Sequence, residues 1–381
     1  MSPNAKPKVV PFYFPQFHAI PENDAWWGRG FTDWDNVRRS RPQFPGHYQP
    51  RVPAGGRYYD LADPSVLRWQ VELAKAHALH GFCLYHYWFD GKLLLERPAR
   101  NLLDARDLDF PFCLAWANET WSRAWTGHDR HILIHQRHVP DKDVWRRHFE
   151  YLFPFWTDPR AIAIDGRPVF LIYKPEAVLE LPQMIDYWND LAARRGSKGV
   201  FLVAIKTHEF VHRDSQRLYD AIVKFQPREV YNSPAFENKS LFASPLLQKL
   251  RLLPDGLIAL LASLRYRAAK LEKIDYDDVW SHIVRAAEED VRSGRTNVFQ
   301  GAFVDWDNSP RYGPKAKVYV GASPERFEHW MSRLLSVARE GASPFVFLNA
   351  WNEWAEGAYL EPDARHGTAY LEVLRRLLTA P

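Results

Sequence analysis

Two cysteines in 381 residues, Cys83 and Cys113, leave no disulfide framework and no thiolate pattern for a metal. Both lie in apolar, strand-like runs, where a buried free thiol is the expected state. Charge of one sign is equally scarce. Fifty basic against 46 acidic side chains give a formal net charge of +4, too slight to argue for a nucleic-acid partner. No run of about 18 or more apolar residues offers a membrane span. The first ten residues lack an apolar stretch of signal-peptide length, so the expected location is the cytoplasm. The histidines read as scattered, and neither a metal centre nor any other cofactor is expected. No internal repeat, low-complexity tract or dividing linker is evident, so residues 1–381 read as a single domain.

What the chain has in excess is aromatic rings: 16 Trp, 17 Tyr and 23 Phe. Part of this is core. The rest stands beside polar residues, as in Trp26-Trp27, Tyr85-His86-Tyr87-Trp88 and Trp116-Ala117-Asn118-Glu119-Thr120-Trp121. A sugar ring offers one face of C–H bonds and a rim of hydroxyls, which suits an aromatic platform edged by Asp, Glu, Asn and His.

Short runs of β-branched and aromatic residues alternate with helical patterns, the signature of parallel βα units. Strands are expected at 9–14, 81–88, 112–117, 169–173, 200–205, 221–225, 298–304 and 345–350. Helices are expected at 64–80, 143–153, 181–195, 276–293 and 324–340, two of them opened by Pro64 and Pro324 behind a capping Asp or Ser. Eight strands with helices between them predict an α/β fold, a (β/α)8 barrel with long insertions after strands 1 and 6. Polar or aromatic residues follow most of the strands: Pro15-Gln16-Phe17-His18, His86-Tyr87-Trp88, Asn118-Glu119, Lys174, Lys206-Thr207-His208-Glu209, Asp305-Trp306-Asp307-Asn308 and Asn352-Glu353. In such a barrel these ends converge on one mouth. The first insertion, 15–63, reads as a lid or wall over that mouth. The second, 233–274, reads as a helical, basic-amphipathic insertion; its stretch 241–273 has six Lys or Arg against two acidic residues. It packs on the barrel or rests on a membrane surface as a peripheral contact.

Glu353 and Glu356 are the candidate catalytic pair. Residues three apart on a strand point to opposite faces, so the two meet one substrate only if the chain bends between them. Aromatic neighbours would desolvate one carboxyl and raise its pKa while a polar setting keeps the other ionised, the division that glycosidic cleavage needs. The spacing fits equally well two acids at a helix start facing water.

The run Trp351-Asn352-Glu353-Trp354-Ala355-Glu356-Gly357, followed by Leu360-Glu361-Pro362, resembles the C-terminal signature of glycoside hydrolase family 99. The opening Tyr13-Phe14-Pro15-Gln16-Phe17-His18 and the block Trp116-Ala117-Asn118-Glu119 resemble the related WbsX-like proteins of bacterial O-antigen and capsule clusters, commonly labelled glycosyltransferases. The likeness runs over nearly the whole chain. It implies a retaining, α-mannoside-type glycoside hydrolase in which Glu353 deprotonates the sugar's 2-hydroxyl and that oxygen attacks its own anomeric carbon. Glu356 is then implied as the acid for the leaving sugar and the base for incoming water.

Around this pair Tyr13, Gln16, His18, Tyr85, His86, Asn118, Glu119, Lys174 and Asn352 are expected to bind an oligo- or polysaccharide substrate. Asp305 and Asp307 are expected as further contacts, and Trp27, Trp88, Trp116 and Trp351 as stacking platforms. Asp305-Trp306-Asp307 also has the D-x-D form that holds a metal in many glycosyltransferases, but no Gly-rich nucleotide turn accompanies it. Two further readings stand beside the hydrolase: a glycosyltransferase building O-antigen or capsule, and a carbohydrate-binding barrel without catalysis.

Overall fold

The computed structural model describes residues 6–123, 128–208, 218–234, 236 and 270–380. Eight strands carry the fold: β1 (Lys8–Tyr13), β2 (Phe82–Phe89), β3 (Phe112–Trp116), β4 (Arg167–Ile172), β5 (Phe201–Lys206), β6 (Ala221–Lys224), β7 (Val298–Phe303) and β8 (Phe345–Asn349). Each pairs in parallel with the next. The ring closes where β1 lies beside β8, with Lys8 opposite Phe345 and Pro11 opposite Leu348. All eight expected strands are present, and the short β6 is held by both neighbours. The chain is a (β/α)8 barrel.

Helices α1 (Pro64–Ala76), α2 (Lys142–Trp156), α3 (Leu181–Ala193), α4 (Tyr276–Arg292), α5 (Pro324–Glu340) and α6 (Ala369–Thr379) cover the strands. The caps follow the sequence signals: Asp63 accepts from the Ser65 amide ahead of α1, and the Ser323 hydroxyl from the Arg326 amide ahead of α5. α1 ends four residues before its expected limit. The Leu79 amide turns back onto the Ala74 carbonyl at 3.1 Å, and Ala78 takes φ 60°.

Inside the barrel, Phe12 stacks on Tyr85 at 5.6 Å and meets Phe225 and Phe347 at 5.2 and 5.7 Å. On the strand β7, Gly301 lets the β6 backbone approach; a Cβ there would stand 1.7 Å from the Lys224 carbonyl oxygen. Backbone cannot step aside as a side-chain tip can, so Gly301→Ala is expected to cost ~3 kcal/mol of stability, read from the urea midpoint of unfolding.

The insertion 15–63 contributes two short helices, Pro21–Trp27 and Asp33–Arg39, and then runs along the segment after β8. The Ala54 amide donates to the Pro362 carbonyl at 2.9 Å and the Ala364 amide to that of Val52 at 2.8 Å. Of the expected insertion 233–274, residues 237–269 lie outside the described ones, and with them nearly all of the proposed membrane contact 241–273. Its end is extended rather than helical, because Glu272–Asp275 pairs in parallel with Lys317–Val320. Among the described residues no helix is long and apolar enough to cross a membrane.

Candidate active site

A cavity of about 310 Å³ opens at the C-terminal ends of the strands. Its walls come from the segments after β1 (Phe14, Gln16, Asn23, Trp27), from β2 (Tyr85, Tyr87), and from beyond β3 (Ala117, Glu119, Trp121), β4 (Tyr173) and β6 (Phe225, Arg228). Arg311 and Tyr312, past β7, and Glu353 and Glu356, past β8, complete it.

The chain does bend between the two glutamates. Asn352–Glu353 pairs antiparallel with Ala358–Tyr359, and Trp354–Glu356 forms one turn of 3-10 helix. Gly357 closes the bend at φ 67°, where a Cβ would meet the Asp307 amide nitrogen at 2.9 Å. Trp354, inside the bend, stacks on Tyr359 at 3.8 Å and donates its indole N–H to Glu361 at 2.7 Å. Glu361 also accepts from Tyr59 and Gln70, so one buried carboxylate ties the bend to the insertion 15–63 and to α1. Burial pushes the Glu361 carboxyl up to about 7 against these hydrogen bonds, which pull it down.

Both glutamates face one guanidinium nitrogen. Arg311 Nη1 lies 2.5 Å from Oε1 of Glu356 and 3.6 Å from Oε1 of Glu353, while Nη2 donates to Asp33 Oδ2 at 2.8 Å. Burial pushes the Glu353 carboxyl up to about 8; the negative Glu356 adds to this and Arg311 opposes it. Glu353 therefore keeps its proton at neutral pH. Tyr85 and Tyr87, buried beside Glu353, are held well above the usual phenol range by burial first and by its charge second. Across the cavity Lys174 Nζ pairs with Glu119 Oε1 at 2.7 Å, and Arg228 Nη1 donates to the Tyr173 hydroxyl at 2.6 Å.

Of the expected ligand-binding residues, Gln16, Trp27, Tyr85 and Glu119 line this cavity, with Lys174 bound to Glu119. Others do not reach it, mostly because strand side chains alternate between the barrel interior and the helices outside. Tyr85 and Tyr87 point in; His86 and Trp88 point out, against α2, where His86 Nε2 meets His148 Nε2 at 2.8 Å and Trp88 stacks on His148 at 4.6 Å. Trp116 packs edge-on against the same His148 and donates to the Trp88 carbonyl. Tyr13 points to α1 and donates to Gln70. Trp351 is fully buried against Phe82.

Three more of these residues serve the backbone. Asn118 exchanges hydrogen bonds with the Lys174 amide and carbonyl, and Asn352 does the same with Phe14, fixing the end of β1 to that of β8. His18 turns onto the Pro15 carbonyl. Asp305 and Asp307 are held away from the cavity: Arg51 Nη2 pairs with Asp305 at 2.7 Å, while His47 and Gln49 bind Asp307 at 2.8 and 2.6 Å. Burial alone would raise the Asp307 carboxyl, but His47 and Arg51 bring it down to about 2.

These partners occupy the oxygens a D-x-D metal would need, and among the described residues no group of three or more His, Cys, Asp or Glu is arranged to hold a metal ion. The histidines are less scattered than their reading above: His208-Glu209-Phe210-Val211-His212 has the H-E-x-x-H spacing. His208 itself bonds the Thr207 hydroxyl at 2.9 Å, and Glu209 to His212 lie outside the described residues. The sequence puts Tyr87 at the mouth with His86 and Trp88 but not among the sugar contacts, and Tyr173, Arg228 and Arg311 went unseen in it. Two-residue alternation from Tyr85 would have found Tyr87; the arginines sit on short helical turns, Arg228–Tyr231 and Ser309–Tyr312, that carry no pattern of their own.

The family model described as "Glycosyltransferase WbsX" matches residues 9–374. The protein WxcX of Xanthomonas campestris pv. campestris is 37% identical over 375 residues, and its counterpart in strain B100 is 38% identical over the same length. The match takes in 97% of this chain but 49% of either relative, so the chain spans about half the length of the curated relatives it matches. Among solved structures, the family 99 endo-α-mannosidase of Bacteroides thetaiotaomicron superposes with a TM-score of 0.56 at 13% identity, covering 97% of this chain and 95% of that one. A protein described as glycoside hydrolase-like gives 0.59 at 12% identity, covering 100% and 96%. At such identities the likeness is one of fold.

Proposed function

Because the chain belongs to the WbsX glycosyltransferase family, we propose that it is a carbohydrate-active enzyme working on glycosidic bonds of a bacterial polysaccharide, with residues 1–381 as one catalytic domain. The observation that carries this reading is the glutamate pair on a shared guanidinium nitrogen, in a cavity walled by Trp27, Tyr85, Tyr87 and Tyr173. Rings of this kind suit the C–H face of a sugar, and paired carboxyls suit proton transfer at the glycosidic oxygen.

In this scheme Glu353 takes the proton of the 2-hydroxyl, the freed oxygen closes on the anomeric carbon, and Glu356 protonates the leaving sugar. Water, or an acceptor sugar, then attacks the anomeric carbon with Glu356 as base, the strained ring opens, and Glu353 returns its proton to the 2-oxygen. A carboxylate with its pKa lifted to about 8 is a stronger base toward a hydroxyl than an ordinary one. It must first lose its proton, so the scheme makes turnover rise with pH toward that value. A second reading, transfer from a nucleotide sugar, is favoured by the family's description.

Incubation with α-mannosides and O-antigen fragments, with and without nucleotide sugars, separates the two. Shortened products without any nucleotide sugar are expected. Extension that occurs only with a nucleotide sugar would replace the hydrolase by the transferase.

A further inference from the structure

Arg228 is the cation of this cavity that no carboxylate holds. Glu119 has Lys174 at 2.7 Å; Glu356 and Asp33 share Arg311 at 2.5 and 2.8 Å. Arg228 donates one N–H to the neutral Tyr173 hydroxyl and, among the described residues, forms no ion pair. A guanidinium has five donors in a planar fork and does not give up its charge in proteins. It lines the same cavity as Glu119, Glu353 and Glu356.

Arg228 is half-buried, and a ligand that fills the cavity closes its fork off from solvent. A cation left dry without an anion costs heavily, and the anomeric carbon gains positive charge during cleavage in a cavity that Arg228 and Arg311 both line. An anionic substituent on the sugar would meet both demands. Resting on the carbohydrate reading above, we infer that the substrate is an acidic glycan, one of whose sugar carboxylates is bound by the fork of Arg228. A carboxylate matches one planar guanidinium, two N–H to two oxygens. A diphosphate, the anion of a nucleotide sugar, carries more charge than the single cavity cation that, among the described residues, no carboxylate holds.

The test uses the full chain and immobilised bacterial glycans in matched pairs, each uronate-containing glycan beside its carboxyl-reduced, neutral counterpart, with UDP and GDP as separate ligands. Wild type is expected to bind acidic members about ten- to a hundredfold tighter than their reduced partners. Arg228→Gln should bring that ratio near one, and Arg228→Lys should keep part of it. Equal binding of reduced and acidic glycans by the wild type, or a preference that survives Arg228→Gln, would overturn the inference and leave the carbohydrate reading standing. UDP or GDP binding that depends on Arg228 while glycan binding does not would hand the fork to phosphate and likewise overturn it. If the wild type retained no glycan at all, both readings would fall.

Discussion

Glu356→Gln is expected to lower cleavage of an unactivated glycan by about 10³-fold, and Glu353→Gln by a similar factor. The two variants should part on a glycosyl fluoride, whose leaving group needs no proton. There Glu356→Gln should recover much of its first step, because only the acid's task has been removed. Glu353→Gln should recover nothing, since the 2-hydroxyl still lacks its base. Recovery in the opposite order would exchange the two roles. Gln keeps the size and one acceptor of Glu, so a fall in rate reports lost proton transfer rather than lost shape. Unchanged turnover in either variant would remove that residue from the chemistry.

The second large effect belongs to Arg311, which touches Asp33, Glu353 and Glu356 from a buried position. Arg311→Met leaves these carboxylates without their shared cation, and removing one partner of a buried ion pair costs about 3–5 kcal/mol. Arg311 also holds the Glu353 pKa below what burial and Glu356 would otherwise impose. Its loss should therefore move the acidic limb of the kcat/KM profile, expected near pH 8 in the wild type, to higher pH. A merely structural role would lower stability without moving that limb.

Stability gives an independent reading of the same carboxyl. Its folded pKa of about 8 lies above the ordinary value of 4.5. The unfolded chain thus releases its proton first as pH rises, and stability falls across that window before levelling. Glu353→Gln removes this loss: the variant should melt with the wild type near pH 4 and above it at pH 8 and beyond. If Glu353 is the proposed base, the variant gains stability as it loses activity.

The sequence made the barrel readable because runs such as 345–350 and 112–117 are long enough, and apolar enough, to be buried strands on both faces. It made the bend at 353–356 readable because two carboxylates three residues apart admit no other way to meet. The pleat was the main source of error. Tyr85, His86 and Trp88 stand together in the chain, and only a strict two-residue alternation puts the first in the cavity and the others against α2. Trp351 and Asn352 lie beside the pair without touching the cavity, since a tight bend sends its neighbours inward to hold it. Asp305 and Asp307 failed for a different reason. Their partners His47, Gln49 and Arg51 are more than 250 positions away, beyond the reach of any local pattern.

The same distant partners give the segment 47–59 its character. It is sewn to 357–364 by Arg51 on the Gly357 carbonyl, Tyr59 on Glu361 and the Ala54–Pro362 and Ala364–Val52 backbone bonds, and to the end of β7 by Arg51 on Asp305. This half of the insertion is thus a fixed brace behind the bend that carries Glu353 and Glu356, rather than a flap. The two carboxyls are held in position before any ligand arrives, so binding pays little ordering entropy at the bend.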